Sequence, residues 1–151
     1  MDVDLVAELE SPHVDPFVAD LVADYYVDAD MIREALRDRT SFNLIHQASM
    51  IKVDVFLPKQ RRYDKAALAR RAPDRLEDTP NAREFFVATA EDVILAKLEW
   101  FDRGGRASER QWNDVLGVLR VQGEAVDLKY LKQWAGELEI GDLLDLALSE
   151  R

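Results

Sequence analysis

Apolar and acidic positions alternate from the start of the chain. Val3, Leu5 and Ala7 interleave with Asp2, Asp4 and Glu8, the period of two expected of a strand with one wet face over residues 2–9. Ser11-Pro12 breaks the run. Residues 14–24 then take helical spacing, with Phe17, Leu21 and Val22 on one face and Pro16 tolerated in the first turn. Tyr25-Tyr26-Val27 reads as a short strand. Asp28 caps a helix to about Asp38 whose stripe is Met31, Ile32, Ala35 and Leu36. Residues 42–47 and 51–57 are rich in β-formers around a short polar turn, which predicts an antiparallel pair ended by Pro58. Residues 66–71 are helical, residues 72–81 form a surface loop carrying Pro73 and Pro80, and residues 84–88 are a last strand.

From residue 89 the period becomes helical throughout. Thr89, with Asp92 three residues on, starts a helix that stops at Gly104-Gly105. Ser108 with Gln111 starts another, ended by Gly123. Asp127 caps a third, with Leu131, Trp134, Ala135 and Leu138 at i, i+3, i+4 and i+7, and residues 142–149 close the chain as a short helix. The expected class is α+β: a small mixed sheet with flanking helices over residues 1–88, followed by a C-terminal helical lobe over 89–151.

Composition narrows the chemistry. The 151 residues contain 30 acidic and 20 basic side chains, a formal net charge of −10, and no cysteine. Disulfide scaffolds, thiolate metal sites and cysteine nucleophiles are thereby excluded. No apolar run approaches the roughly 20 residues of a membrane span, and the first residues lack the basic and apolar regions of a signal peptide, so the expected location is the cytoplasm. A charge of −10 argues against duplex DNA as a partner, because that mode needs clustered cations to release counterions. The segment from Lys59 to Arg75 runs the other way, with seven basic residues against two acidic ones. It is either a solvated face or a cradle for the phosphates of a nucleotide or an RNA.

Three acids stand out by position. Asp2 and Asp4 leave the same face of the first strand. Asp54 is central in Ile51-Lys52-Val53-Asp54-Val55-Phe56-Leu57, where alternation puts Lys52, Asp54 and Phe56 opposite Ile51, Val53, Val55 and Leu57. If the two strands are neighbours, three carboxylates converge. Like charges so placed raise one another's pKa, and a bound Mg²⁺ relieves this with carboxylate and phosphate oxygens as ligands. Two such ions about 4 Å apart activate a hydroxyl and steady a leaving pyrophosphate. The bland alternative is that these acids are simply the wet faces of amphipathic strands.

Lys97 falls inside the stripe Ile94, Leu98, Phe101 of its helix, so it needs a partner or a route to solvent. Asp114, beside the Trp112, Val115, Leu116, Leu119 stripe of the next helix, is the candidate, and such a pair commonly fixes how two helices dock. His13 and His46 lack ligand-like spacing. Trp100, Trp112 and Trp134 sit at helical spacing among aliphatic neighbours and are expected in the lobe core. Ser41, Ser49 and Ser108 lack the context of a hydrolase nucleophile, and Gly104-Gly105 is a helix stop, not a phosphate loop.

The run "DVDLV", then "SFNLIHQASMIKVDVFL", then "TAEDVILAKLEW" and "SERQWNDVLGVL" resembles the nucleotidyltransferase superfamily, of polymerase-β-like fold. It is more closely similar to small bacterial nucleotidyltransferase-like proteins related to abortive-infection toxins. The resemblance implies metal-ligand roles for Asp2 and Asp4. For Asp54 it implies a third-carboxylate role that assists deprotonation of an attacking hydroxyl. It implies that Lys97 lines the active cleft, with Mg²⁺ as cofactor, an NTP as donor, and an RNA, protein or small-molecule hydroxyl as acceptor. The superfamily places a Gly-Ser turn and a helix before the DxD strand to grip the triphosphate. Here Met1 immediately precedes Asp2, so phosphate binding falls to Arg61, Arg62 or Lys65. Two expectations follow. Either the natural start lies upstream, or the chain keeps the fold without the transfer and serves as a binding module or toxin–antitoxin-type partner. An uncovered sheet edge then predicts a homodimer.

Overall fold

The computed structural model describes residues 2–77, 79 and 82–151, with Asp2 described by its backbone alone. The chain forms two compact units, Met1–Asp64 and Lys65–Arg151. The sequence pattern put the boundary at 88/89; compactness puts it inside a helix near residue 64.

The first unit contains β1 (Asp2–Val6), α1 (Val14–Leu21), β2 (Tyr25–Tyr26), α2 (Ala29–Asp38), β3 (Ser41–His46) and β4 (Lys52–Phe56). The four strands form one mixed sheet in the order β1-β4-β3-β2. β1 runs parallel to β4, while β3 is antiparallel to both β4 and β2. The alternation in β3 and β4 decides which face is covered. Phe42, Leu44, Val55 and Leu57 are buried with Val14 of α1 and Ile32, Ala35 and Leu36 of α2. Helices therefore pack on one face of the sheet, and the other face carries the polar members of the same strands. Asp28 starts α2 as expected, its Oδ1 accepting from the amides of Asp30 (2.8 Å) and Met31 (3.0 Å). β1 is an edge strand, and its core-side residues Val3 and Leu5 remain 38% and 48% exposed.

α3 (Arg62–Arg70) begins four residues earlier than periodicity suggests. Asp64 explains this, because its Oδ2 accepts from the Arg61 amide at 2.9 Å and so ties down the first turn. The expected loop over 72–81 is corrected in part. β5 (Ala72–Arg75) pairs antiparallel with β6 (Glu84–Val87), Pro73 opposite Phe86. A two-stranded ribbon has an outer edge that needs no donor, so proline fits there, and all four residues of β5 are exposed, as a loop's would be. Pro80 lies outside the described residues.

The second unit continues with α4 (Ala90–Arg103), α5 (Glu109–Gln122), α6 (Leu128–Glu137) and α7 (Gly141–Glu150). Thr89, Ser108 and Asp127 cap the first three through the amides of Asp92, Gln111 and Tyr130. Gly105, at φ 70°, permits the turn after α4. Leu95 and Leu98, Val115 and Leu119, Leu131, and Leu144 bring one apolar stripe from each helix into a shared core. Trp134 joins it at 6% exposure. Trp100 does not. It stands off the Ile94–Leu95–Leu98 stripe and is 49% exposed, which corrects its expected place in the core. The four-stranded sheet with helices and the run of C-terminal helices together make the chain α+β. Among the described residues no helix is long and apolar enough to cross a membrane.

Candidate functional site

Strand register builds a row of polar side chains across the uncovered face of the first sheet. Asp4 of β1 is the register partner of Asp54 of β4, and Asp54 is in turn the partner of Asn43 of β3. Side chains of register partners leave the sheet on the same side, so Asp4, Asp54 and Asn43 form one row. The next row is Asp2, Lys52 and Ile45, and the row beyond is Val6, Phe56 and Ser41. The parallel neighbourhood of β1 and β4, on which convergence of the acids depends, is thus present. Asp2 occupies its register position; its side chain lies outside the description.

Lys52 sets the electrostatics of this face. Its ammonium is 2.8 Å from Asp54 Oδ2, and the two side chains are partly exposed. A pair two residues apart on one strand face is easily bridged by a flexible lysine. The candidate ligand atoms on this face are oxygens, the type a hard divalent ion takes, but the Lys52 ammonium already balances Asp54. Among the described residues no group of three or more His, Asp or Glu side chains is drawn together as a metal site. Asn43 is the neighbour that sequence reading missed. Its signal was available, as the one carboxamide on the outward face of a strand whose inward residues are Phe42 and Leu44.

The other candidate residues are distributed through both units. Arg61 is held by Asp64, with Nε at 3.1 Å from Oδ2 and a terminal nitrogen at 2.8 Å from Oδ1. Arg62 and Lys65 are exposed on the first turn of α3. Further along the basic segment, Arg70 faces Glu91, Arg75 faces Glu84, and Arg71 lies 4.8 Å from the Phe86 ring centroid. Much of the local positive charge is therefore spent on carboxylates of the same chain. Lys97 belongs to the second unit. Its ammonium is 2.7 Å from Asp114 Oδ2 and 3.4 Å from Gln111 Oε1, the inter-helix pair that the two stripes suggested.

The most buried charges in the described chain went unread in the sequence beyond the helix cap. Glu91 and Asp92, in the first turn of α4, are 8% and 4% exposed. Each carboxylate oxygen accepts at least one hydrogen bond. Glu91 takes the Asp127 amide at 2.9 Å and Arg70 at 3.1 Å; Asp92 takes the Tyr130 hydroxyl at 2.8 Å and the Thr89 hydroxyl at 2.7 Å. The Arg70 guanidinium also stacks 3.9 Å over the Tyr130 ring. Burial works against the Glu91 charge, but the amides of Asp127 and Glu91 itself, the Thr89 hydroxyl and Arg70 outweigh it and hold its carboxyl below the ordinary value. Burial, then the hydrogen bond to Asp92, pushes the Tyr130 phenol well above its ordinary value. With every oxygen engaged, this cluster is a brace joining α3, α4 and α6. The outer face of the first sheet is the better candidate site. No family model, curated protein or solved structure matches the chain.

Proposed function

We propose that the chain is a nucleotidyltransferase-like protein with a sheet of polymerase-β-like type, and that Asp2, Asp4 and Asp54 are its Mg²⁺ ligands. One observation carries the reading: Asp4 and Asp54 are register partners on adjacent parallel strands, on the face that no helix of the first unit covers. A DxD strand beside a strand with a single central aspartate can serve metal-assisted phosphoryl chemistry, because both strands then offer oxygens on one face. When bound, Mg²⁺ supplies charge stabilisation to a departing pyrophosphate. Asp54 accepts the proton of the attacking hydroxyl, and the row Asp4–Asp54–Asn43 orients that hydroxyl through oxygen acceptors and a carboxamide. Arg61, Arg62 and Lys65 neutralise phosphate. The donor is an NTP and the acceptor a hydroxyl of RNA, protein or a small molecule. The reading assigns no membrane partner and no duplex DNA.

The second reading keeps the fold and drops the transfer, leaving a binding module or toxin–antitoxin-type partner in the cytoplasm. The Lys52–Asp54 pair supports it, since an ammonium already balances that carboxylate without a metal. A transfer assay separates the two. The protein is incubated with Mg²⁺ and each of four α-labelled NTPs, with total RNA and with the chain itself as acceptors. Label transfer that disappears in Asp4→Asn and Asp54→Asn supports the enzyme. Absence of label with every NTP, in a folded preparation, overturns it in favour of the binding module.

A further inference from the structure

Lys52 is the one basic side chain on the acid face of β1 and β4, and sequence reading gave it no role. It stands in register with Asp2, and its ammonium is 2.8 Å from Asp54 Oδ2. A divalent ion and an ammonium cannot both occupy the oxygens of one carboxylate cheaply, because like charges a few ångströms apart repel. Lysine is suited to yield, as a point charge on a flexible stem with three rotatable donors. Its side chain is 44% exposed, so water replaces the lost partner at little cost.

We infer that Lys52 is an exchangeable counter-ion of the metal site and, once displaced by Mg²⁺, a ligand for the phosphates of the substrate. The inference rests on the metal reading above and deepens it. Without metal, Lys52 holds Asp54 in place and limits repulsion along the acid row. With metal, the released ammonium would remain on the same strand face as Asp4 and Asp54 and would be available to donate hydrogen bonds to a polyphosphate. This supplies on the sheet itself a phosphate contact in addition to Arg61, already bound to Asp64, and to Arg62 and Lys65 of α3.

The two roles have opposite signs, which makes them separable. Calorimetric titrations of the full chain are run with Mg²⁺ alone, and with tripolyphosphate at saturating Mg²⁺, a probe that carries no base. Lys52→Gln is expected to bind Mg²⁺ about tenfold more tightly and tripolyphosphate about tenfold more weakly than the natural chain. Lys52→Arg is expected to recover most of the tripolyphosphate affinity. Because the side chain projects from an exposed sheet face, circular dichroism should be unchanged in both variants. Unchanged or weaker Mg²⁺ binding in Lys52→Gln overturns the inference, as does movement of both affinities in the same direction. If neither the natural chain nor Lys52→Gln binds Mg²⁺, the metal reading fails as well. If both bind Mg²⁺ equally, only the role of Lys52 fails.

Discussion

Lys52 and Lys97 each partner a carboxylate, and the surroundings give the two pairs different work. Lys97 and Asp114 join two packed helices, with side chains 26% and 41% exposed. Partial solvation limits their coupling, so a double-mutant cycle with Lys97→Met and Asp114→Asn is expected to give about 0.5–1 kcal/mol in denaturant unfolding. A coupling near zero would leave Lys97 without a docking role. Glu91 and Tyr130 extend the argument to pH. Glu91 is held below 4.5 in the folded chain, so its contribution is complete above that value and fades as pH falls through the lower folded value. Glu91→Gln should lower stability near neutrality by about 1–3 kcal/mol and flatten the stability profile on the acid side. Tyr130 is shifted upward from 10.0, so its contribution is complete below that pH and is lost as pH rises towards the higher folded value. Tyr130→Phe should remove that alkaline decline. Denaturant midpoints across pH check both, and profiles parallel to the natural chain's would contradict them.

Capping residues mark the helix starts in this sequence well, and the structure repays that with measurable energy. Asp28 accepts two amide hydrogen bonds at the start of α2, so Asp28→Ala is expected to cost about 1 kcal/mol, and Asp28→Asn much less, in thermal unfolding. Thr89, Ser108 and Asp127 were legible for the same reason: a short polar side chain before an apolar stripe has one local use. Strand pairing was legible where alternation was strong, as in Phe42 and Leu44 opposite Val55 and Val53. It failed in β5, because a four-residue exposed strand containing proline has no apolar face to announce it, and its pairing with β6 depends on residues about ten positions away. The Arg70–Glu91–Asp92–Tyr130 brace was hidden for a related reason. Its members lie up to 60 positions apart, and a buried carboxylate in a first turn looks in sequence like an ordinary favourable charge at a helix start.

Charge and edges govern how the molecule meets others. A net −10 spread over exposed acids, with several arginines already paired internally, predicts no mobility shift of duplex DNA at physiological salt. β1 offers an unpaired strand edge beside partly exposed Val3, Leu5 and Val6, which supports a homodimer through that edge. Sedimentation should give twice 17.3 kDa for the natural chain and the monomer mass for Leu5→Lys; a monomer in both cases contradicts the dimer. The order β1-β4-β3-β2 matters most, because it sets one aspartate of the DxD strand beside Asp54. Periodicity assigned each acid to a face, but adjacency of the strands is a long-range fact that only the fold supplies. Anomalous diffraction from crystals soaked in Mn²⁺ with a non-hydrolysable NTP tests it most directly. A manganese peak within bonding distance of both Asp4 and Asp54 is the expected result. A well-ordered face with Lys52 still on Asp54 and no peak there would contradict the account.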